Sequence, residues 1–127
     1  MKGTLVTVII LLVLIIAIGI ATATISANVS KQYTAELEEA EVSIRADDWE
    51  AARNAIEEMA GRWEETCEWL QLWVNHRDTD EVNLGLDRLS AALEAEDKSL
   101  SLWAAAELNE SLRHIEHRDS LRIGNIL

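Results

Sequence analysis

The chain has 127 residues, 49% of them hydrophobic and 27% charged, and a formal net charge of −12 at pH 7. All 23 acidic residues and ten of the eleven basic ones lie in residues 30–127, so this part of the chain carries a formal charge of −13. A segment this acidic repels phosphate backbones and has no basic stripe, so no nucleic-acid partner is expected.

The first thirty residues have the composition of a membrane-spanning helix. Gly3–Ser30 carries no charge, and Leu5–Ile20 within it is almost purely aliphatic. A helix rises about 1.5 Å per residue, so a hydrocarbon core of about 30 Å takes roughly 20 apolar residues. The small residues of Ala21–Val29 complete that length. We predict a transmembrane anchor over residues 1–29, in contact with the lipid bilayer through residues 4–29, and an acidic α-helical domain over residues 30–127.

Two other interpretations of this segment stay open. Lys2 and the small-x-small sequence Ala21-Thr22-Ala23 are also typical of a cleaved signal peptide, although the apolar run exceeds the usual length of about 7–15 residues. A buried helix of a soluble protein is disfavoured because the segment is apolar all round. The α-amino group and Lys2 on one side, against Lys31 on the other, favour a single-pass protein of the cell membrane with a cytoplasmic N-terminus and an extracytoplasmic domain.

The rest of the chain reads as four amphipathic helices, the first continuing from the anchor without a linker. It lacks proline and is rich in helix-forming Ala, Leu, Glu and Arg. Apolar residues recur every three or four positions, as on one face of a helix. The predicted helices and buried faces are Lys31–Ala46 (Tyr33, Leu37, Ala40, Ile44), Asp48–Asn75 (Trp49, Ala52, Ile56, Met59, Trp63, Cys67, Leu70, Val74), Thr79–Glu96 (Val82, Leu86, Leu89, Leu93) and Asp97–Glu116 (Leu100, Ala104, Leu108, Leu112, Ile115).

The helix boundaries are predicted from capping residues. Asp47 with Glu50 and Asp78 with Glu81 each fit a capping box, in which a side-chain acceptor precedes a carboxylate by three residues. The lone Cys67 lies on an apolar face and is predicted to be a small buried hydrophobe.

Glycines mark two further positions. Gly61 either allows a close helix crossing or is simply tolerated, at a cost of about 1 kcal/mol relative to alanine. Gly124-Asn125 is expected to end any helix there. The apolar residues of the tail, 118–127, are then expected to fold back onto the domain.

A faint internal repeat divides the domain. Ala46-Asp47-Asp48 recurs 49 residues later as Ala95-Glu96-Asp97, each at the hinge of a helix pair. The pattern resembles helical-hairpin repeats of the tetratricopeptide kind, without their full signature. The predicted fold class is all-α: a single N-terminal transmembrane helix followed by a four-helix domain of two stacked helical hairpins.

Four of the five tryptophans fall in the second helix. Trp49 and Trp63 are predicted core residues. Trp69 and Trp73, one turn apart, are the predicted surface for a protein partner or a second copy of the chain. We expect them to lie too far along the domain to join the aromatic belt of the anchor.

The three histidines are the only candidate metal ligands. His114 and His117 lie about one turn apart, and His76 lies near Asp78 and Asp80, so a cluster is conceivable. No His-Glu-x-x-His element is present. Helix capping or a buried hydrogen bond explains the same histidines, so we predict no metal and no cofactor.

Several scattered positions together resemble one family. They are the N-terminal anchor, Asp-Trp-Glu-x-Ala at 48–52, Trp63 with Trp69 and Trp73, His76 with Asp80, and His114-Ile115 with the ending Asn125-Ile126-Leu127. In these the chain resembles a family of short Firmicutes proteins, domain of unknown function 4363. The resemblance implies an N-terminal anchor and a helical domain, and it transfers no catalytic residue.

The sequence contains no nucleophile–base pair, phosphate-binding loop or cysteine cluster, so no enzymatic activity is predicted. The leading hypothesis is a single-pass membrane protein whose acidic bundle serves as a protein-interaction or structural module. The alternative hypothesis is a metal- or pH-responsive sensor domain that uses His76, His114 and His117.

Overall fold

The computed structural model describes the backbone of residues 1–126 and the side chains of residues 1–116. Over residues 1–126 it contains four helices and no strand: α1 (Lys2–Arg45), α2 (Trp49–Leu70), α3 (His76–Glu94) and α4 (Lys98–Ile126). The predicted all-α class is confirmed, with a long apolar N-terminal helix followed by a helical domain.

Helix α1 runs without interruption for 44 residues. Among residues 1–126 it is the one helix long and apolar enough to span a membrane, a property that signal sequences share. Every side chain from Met1 to Ile15 is exposed. The hydroxyls of Thr7, Thr22 and Thr24 donate to carbonyls three or four residues earlier, at 2.8–3.0 Å. These polar groups are therefore satisfied within the helix, as a hydrocarbon environment requires.

From Ser26 onward α1 is the first helix of a four-helix bundle. Short connections join antiparallel neighbours, and α4 packs back against α1, so the helices close a ring in chain order. The α1–α2 and α3–α4 connections meet at one end, the distal end, where Lys98 Nζ lies 3.0 Å from Asp47 Oδ1. The α2–α3 connection lies at the opposite end, the anchor end, where Trp73 Nε1 donates to Ser26 Oγ at 3.0 Å.

The predicted buried faces form the core, with two exceptions. Trp49 is only partly buried, although it packs against the core. Leu100 was predicted to be buried and is 46% exposed. Its backbone N–H donates to the Asp97 carboxylate at 3.0 Å, which holds the first turn of α4 with Leu100 outward and Ser101 fully buried.

The cap of α2 lies one residue later than predicted. Asp48, not Asp47, accepts a hydrogen bond from the Ala51 backbone N–H, at 3.2 Å. Asp47 instead has a φ of 59°, the left-handed conformation that commonly closes a helix. The Asp48 N–H then reaches back to the Ser43 carbonyl at 2.9 Å. Asp47 therefore belongs to the end of α1.

The connection between α2 and α3 is also shifted. Helix α2 ends at Leu70 rather than Asn75, and α3 begins at His76 rather than Thr79. The Asn75 side chain caps α3 by accepting from the Arg77 N–H at 3.0 Å. Asp78, predicted as the cap, lies buried in the first turn of α3.

The 49-residue repeat has a structural counterpart. Glu96 has a φ of 50°, close to that of Asp47. The Asp97 N–H reaches back to the Ala92 carbonyl at 3.3 Å, as Asp48 does to Ser43. The two distal connections are thus the same turn, which supports the division into two hairpins.

The glycines differ in how closely their neighbours approach and in their effect on the helices. A Cβ on Gly61 would meet nothing within 4 Å, so Gly61 is tolerated and marks no helix crossing. The close approach lies at Gly85, where a Cβ would lie 3.1 Å from Leu108 Cδ1 on α4. Helix α4 continues through Gly124-Asn125; the predicted break is wrong, because glycine weakens a helix without ending it. The predicted packing of the tail side chains lies outside the described side chains.

We predict opposite effects for alanine at Gly61 and valine at Gly85. Gly61→Ala should raise the free energy of unfolding by about 0.5–1 kcal/mol through helix propensity alone. Gly85→Val should lower it by about 1–3 kcal/mol, because the added methyl groups press on Leu108. Chemical denaturation of the full chain in detergent, followed by circular dichroism, measures both. Equal effects at the two positions would contradict the assignment of the α3–α4 contact to Gly85.

Candidate interaction surfaces

An exposed apolar patch occupies the anchor end of the bundle. It consists of Trp69, Leu72 and Trp73, at the end of α2 and in the turn that follows, and is called here the anchor-end patch. Leu72 is 82% exposed, and Trp69 is 38% exposed. The two indole rings pack against each other, with centroids 5.6 Å apart. Trp73 is partly buried against the core.

The expectation that Trp69 and Trp73 lie far from the anchor is wrong. The hydrogen bond from Trp73 Nε1 to Ser26 places this turn beside the point where α1 enters the bundle. Helix α2 runs antiparallel to α1, so its last turn lies beside the part of α1 where the predicted anchor ends. Their role as a surface for a protein partner stays a prediction.

A second surface is the groove between α2 and α3. It is a shallow groove of about 460 Å³ with a floor that includes Trp63, Cys67 and Leu86. Its rim carries the carboxylates of Glu64, Glu68 and Asp87, and its lining contains no lysine or arginine. We call it the α2–α3 groove; its floor mixes apolar side chains with the polar Gln71 and Asn83, and the charged groups on its rim are all negative.

Polar contacts on the floor of the groove hold α2 against α3. Trp63, only 1% exposed, donates from Nε1 to Asn83 Oδ1 at 2.7 Å. The Gln71 amide donates to Thr79 Oγ1 on α3 at 3.0 Å, and it also donates to Cys67 Sγ at 3.3 Å within the end of α2. Cys67 is a buried free thiol, as predicted. The groove is therefore a built feature of the α2–α3 pair.

The histidines are only partly placed by the structure. His76 is exposed at the start of α3. The Nδ1 of His114 lies 3.8 Å from Glu81 Oε2, and its Nε2 lies 3.5 Å from Glu110 Oε1. The side chain of His117 lies outside the described residues. Among the described side chains, no group of three His, Cys, Asp or Glu residues is arranged to hold a metal ion.

A charged pair joins α1 to α2 next to the core. The Arg62 guanidinium donates to both carboxylate oxygens of Glu36 and lies 5.9 Å from the centroid of the Tyr33 ring. Tyr33 in turn packs edge-to-face on Trp63, with centroids 5.4 Å apart. The hydrogen bonds from Arg62 lower the pKa of Glu36 below its ordinary value of 4.5, against the opposing effect of partial burial.

Residues 20–126 match the family described as Domain of unknown function (DUF4363). The chain belongs to this family. The match covers the whole bundle and begins inside the apolar part of α1, which confirms the resemblance seen in the sequence. No curated protein and no solved structure shows significant similarity to the chain.

The rim of the α2–α3 groove was not predicted from the sequence. The sequence does not single out Glu64, Glu68 and Asp87 as a group, because their convergence depends on how α2 and α3 pair. One signal was available. A buried indole N–H needs an acceptor, and Asn83 lies beside the apolar face of α3, so the Trp63–Asn83 bond could have set the register of the two helices.

We predict that the Glu36–Arg62 pair makes stability depend on acid pH. Because the pKa of Glu36 is lowered in the folded state, the pair stabilises the fold above the ordinary pKa of about 4.5. That contribution is lost as the pH falls through the lowered value. Between about pH 5 and about pH 3 the unfolding free energy of the wild type should fall more steeply than that of Glu36→Gln. Parallel pH profiles for the two proteins would contradict the prediction.

Proposed function

We propose that this is a non-enzymatic, single-pass membrane protein whose bundle binds a protein partner in the α2–α3 groove. The observation that carries the proposal is the lining of the groove: the apolar Trp63 and Leu86 beside polar groups such as Gln71 and Asn83, three carboxylates on the rim, and no lysine or arginine. A partner helix with an apolar stripe flanked by lysine or arginine complements both features. The proposed partner is therefore a basic amphipathic helix.

The anchor supports this proposal by holding the groove at a membrane. Helix α1 joins the apolar segment to the bundle without a break, so the groove stays at a fixed height above the bilayer. We further propose that the segment is retained, that the N-terminus is cytoplasmic and that the bundle lies outside the cell membrane. Lys2, on the N-terminal side of the span, is the basis for this orientation.

Site-specific photo-crosslinking in cells tests the groove. A photoreactive amino acid replaces Asp87 on the rim, or, as the matched control, Glu39, an exposed carboxylate on α1. We expect a crosslinked partner from position 87 and none from position 39. Adding Glu64→Lys and Glu68→Lys should weaken the crosslink about tenfold, since two surface charge pairs of about 0.7 kcal/mol each are lost.

The outcomes separate the competing explanations. Crosslinking of equal strength from positions 87 and 39, or none from either, would refute the groove as the binding site. A product of twice the monomer mass from position 87 would identify a second copy of the chain as the occupant. The control pair Glu38→Lys and Glu39→Lys makes the same charge change outside the groove, and it should leave the crosslink at position 87 intact.

Labelling in intact cells tests the orientation. Val42 is 68% exposed near the distal end of the bundle, so a cysteine there is accessible from the compartment that holds the domain. A membrane-impermeant maleimide should modify Val42→Cys in intact cells if the bundle is extracytoplasmic. Labelling only after lysis would reverse the topology and leave the anchor itself in place.

The alternative proposal, a metal- or pH-responsive domain, has one supporting observation. The ring nitrogens of His114 lie 3.8 Å from a Glu81 carboxylate oxygen and 3.5 Å from a Glu110 carboxylate oxygen. Calorimetric titration of the full chain with zinc distinguishes the two functions. Micromolar binding that is lost in His114→Ala would favour the sensor, and its absence would favour the interaction module.

A further inference from the structure

The anchor-end patch lies beside the point where α1 leaves the bundle. The main observation is the hydrogen bond that Trp73 Nε1 donates to Ser26 Oγ, at 3.0 Å. Ser26 is the first buried residue of α1, so the anchor-end patch sits at the level where α1 leaves the bundle. This inference depends on the anchor of the proposed function and is independent of the α2–α3 groove.

The register of α1 sets the depth of the patch. Twenty residues, Leu5–Thr24, span about 30 Å, the thickness of a hydrocarbon core. Ser26 follows two residues later, about 3 Å farther along the helix axis. The indole of Trp73 therefore lies at headgroup level, where tryptophan is enriched in membrane proteins.

The exposure of the patch fits lipid better than water. Leu72, at 82% exposure, is more exposed than any other large apolar side chain from Ser26 to Glu116. Burying such a side chain contributes about 1.5–3 kcal/mol. Trp69 beside it is 38% exposed, and an indole combines apolar area with a polar N–H, the combination suited to an interface.

The charges of the connections differ between the two ends. Both distal connections carry consecutive acids, Asp47-Asp48 and Glu96-Asp97. The anchor-end stretch Trp69–Arg77 contains no acidic residue in a chain that has 23. Arg77 at its end is exposed and lies 3.9 Å from Glu81 in the next turn of α3, in a pair that remains open to solvent. The negative potential of a membrane surface repels the acidic distal connections and does not repel the anchor-end stretch.

We propose that Trp69, Leu72 and Trp73 insert into the interfacial layer of the bilayer that α1 spans. The bundle then contacts the membrane at two places, α1 and the α2–α3 turn. Two contacts fix its orientation about the axis of α1, which a single helix does not. The patch is occupied by lipid rather than by a protein partner or a second copy.

Depth-dependent quenching in vesicles tests this inference. The full chain with Cys67→Ala carries one new cysteine, either Leu72→Cys or, as the matched control, Val42→Cys, an exposed aliphatic position near the distal end. Each is labelled with a polarity-sensitive fluorophore and reconstituted into phosphatidylcholine vesicles with brominated acyl chains. We expect a blue shift and loss of emission at position 72, and neither change at position 42.

The unlabelled protein gives a second measurement that keeps the core Trp63 in place. Brominated lipid should quench part of the tryptophan emission. That quenched part should disappear in the double variant Trp69→Phe/Trp73→Phe and persist in Trp103→Phe, which removes the 55%-exposed indole near the start of α4. A far-UV circular dichroism spectrum of each variant confirms that it is folded.

The outcomes distinguish this inference from the anchor on which it depends. If the protein does not float with the vesicles in a density gradient, the anchor fails. If it floats while positions 72 and 42 are quenched equally, the anchor holds and the patch inference is overturned. Disulfide-linked dimers through Leu72→Cys in the membrane would likewise overturn it, because a second copy would then cover the patch.

Discussion

Helix α1 is unbroken from Lys2 to Arg45, and the rest of the structure depends on that continuity. Its first part is exposed and apolar, while from Ser26 onward one face is buried in the bundle. A single helix with no break leaves no hinge between the two parts. Every surface on the bundle therefore has a defined position relative to the apolar part of α1, and, with that part as the proposed anchor, a defined distance from the membrane.

Three aromatic side chains transmit this geometry to the other helices. Trp73 bonds to Ser26, Tyr33 to Thr66 at 2.9 Å, and Trp63 to Asn83. Each is an apolar body with a polar atom that needs a partner once it is buried. The first two bonds join α2 and its following turn to α1, and the third joins α2 to α3. Apolar packing alone would tolerate a helix sliding by one turn, whereas these bonds would be lost.

The helices and their buried faces were predictable because they depend on local periodicity. Tyr33, Leu37, Ala40 and Ile44 recur at helical spacing and are all buried. The caps were less predictable, since Asp47 and Asp48 are adjacent acids and only the left-handed φ of Asp47 decides between them. The exposed Leu100 depends in the same way on the exact start of α4. Sequence alone does not contain these backbone angles.

The interaction surfaces were the hardest part to predict, because each joins residues far apart in sequence. Trp73 and Ser26 are 47 positions apart, and their contact follows only from the antiparallel return of α2. The rim of the α2–α3 groove likewise needs the pairing of two helices. The expectation that Trp69 and Trp73 lie far from the anchor is wrong for this reason: the antiparallel return of α2 brings residues late in the chain back beside Ser26.

The orientation of the groove limits what can bind there. It runs between α2 and α3, antiparallel neighbours in the bundle that α1 begins, so with α1 as the proposed anchor the axis of the groove crosses the plane of the membrane. Its lower end, at Gln71, lies beside the anchor-end turn. A helix bound along it would run toward the bilayer, as does the segment that follows a transmembrane helix. The partner crosslinked in the groove should therefore itself sediment with membranes, and a partner found only in the soluble fraction would contradict this geometry.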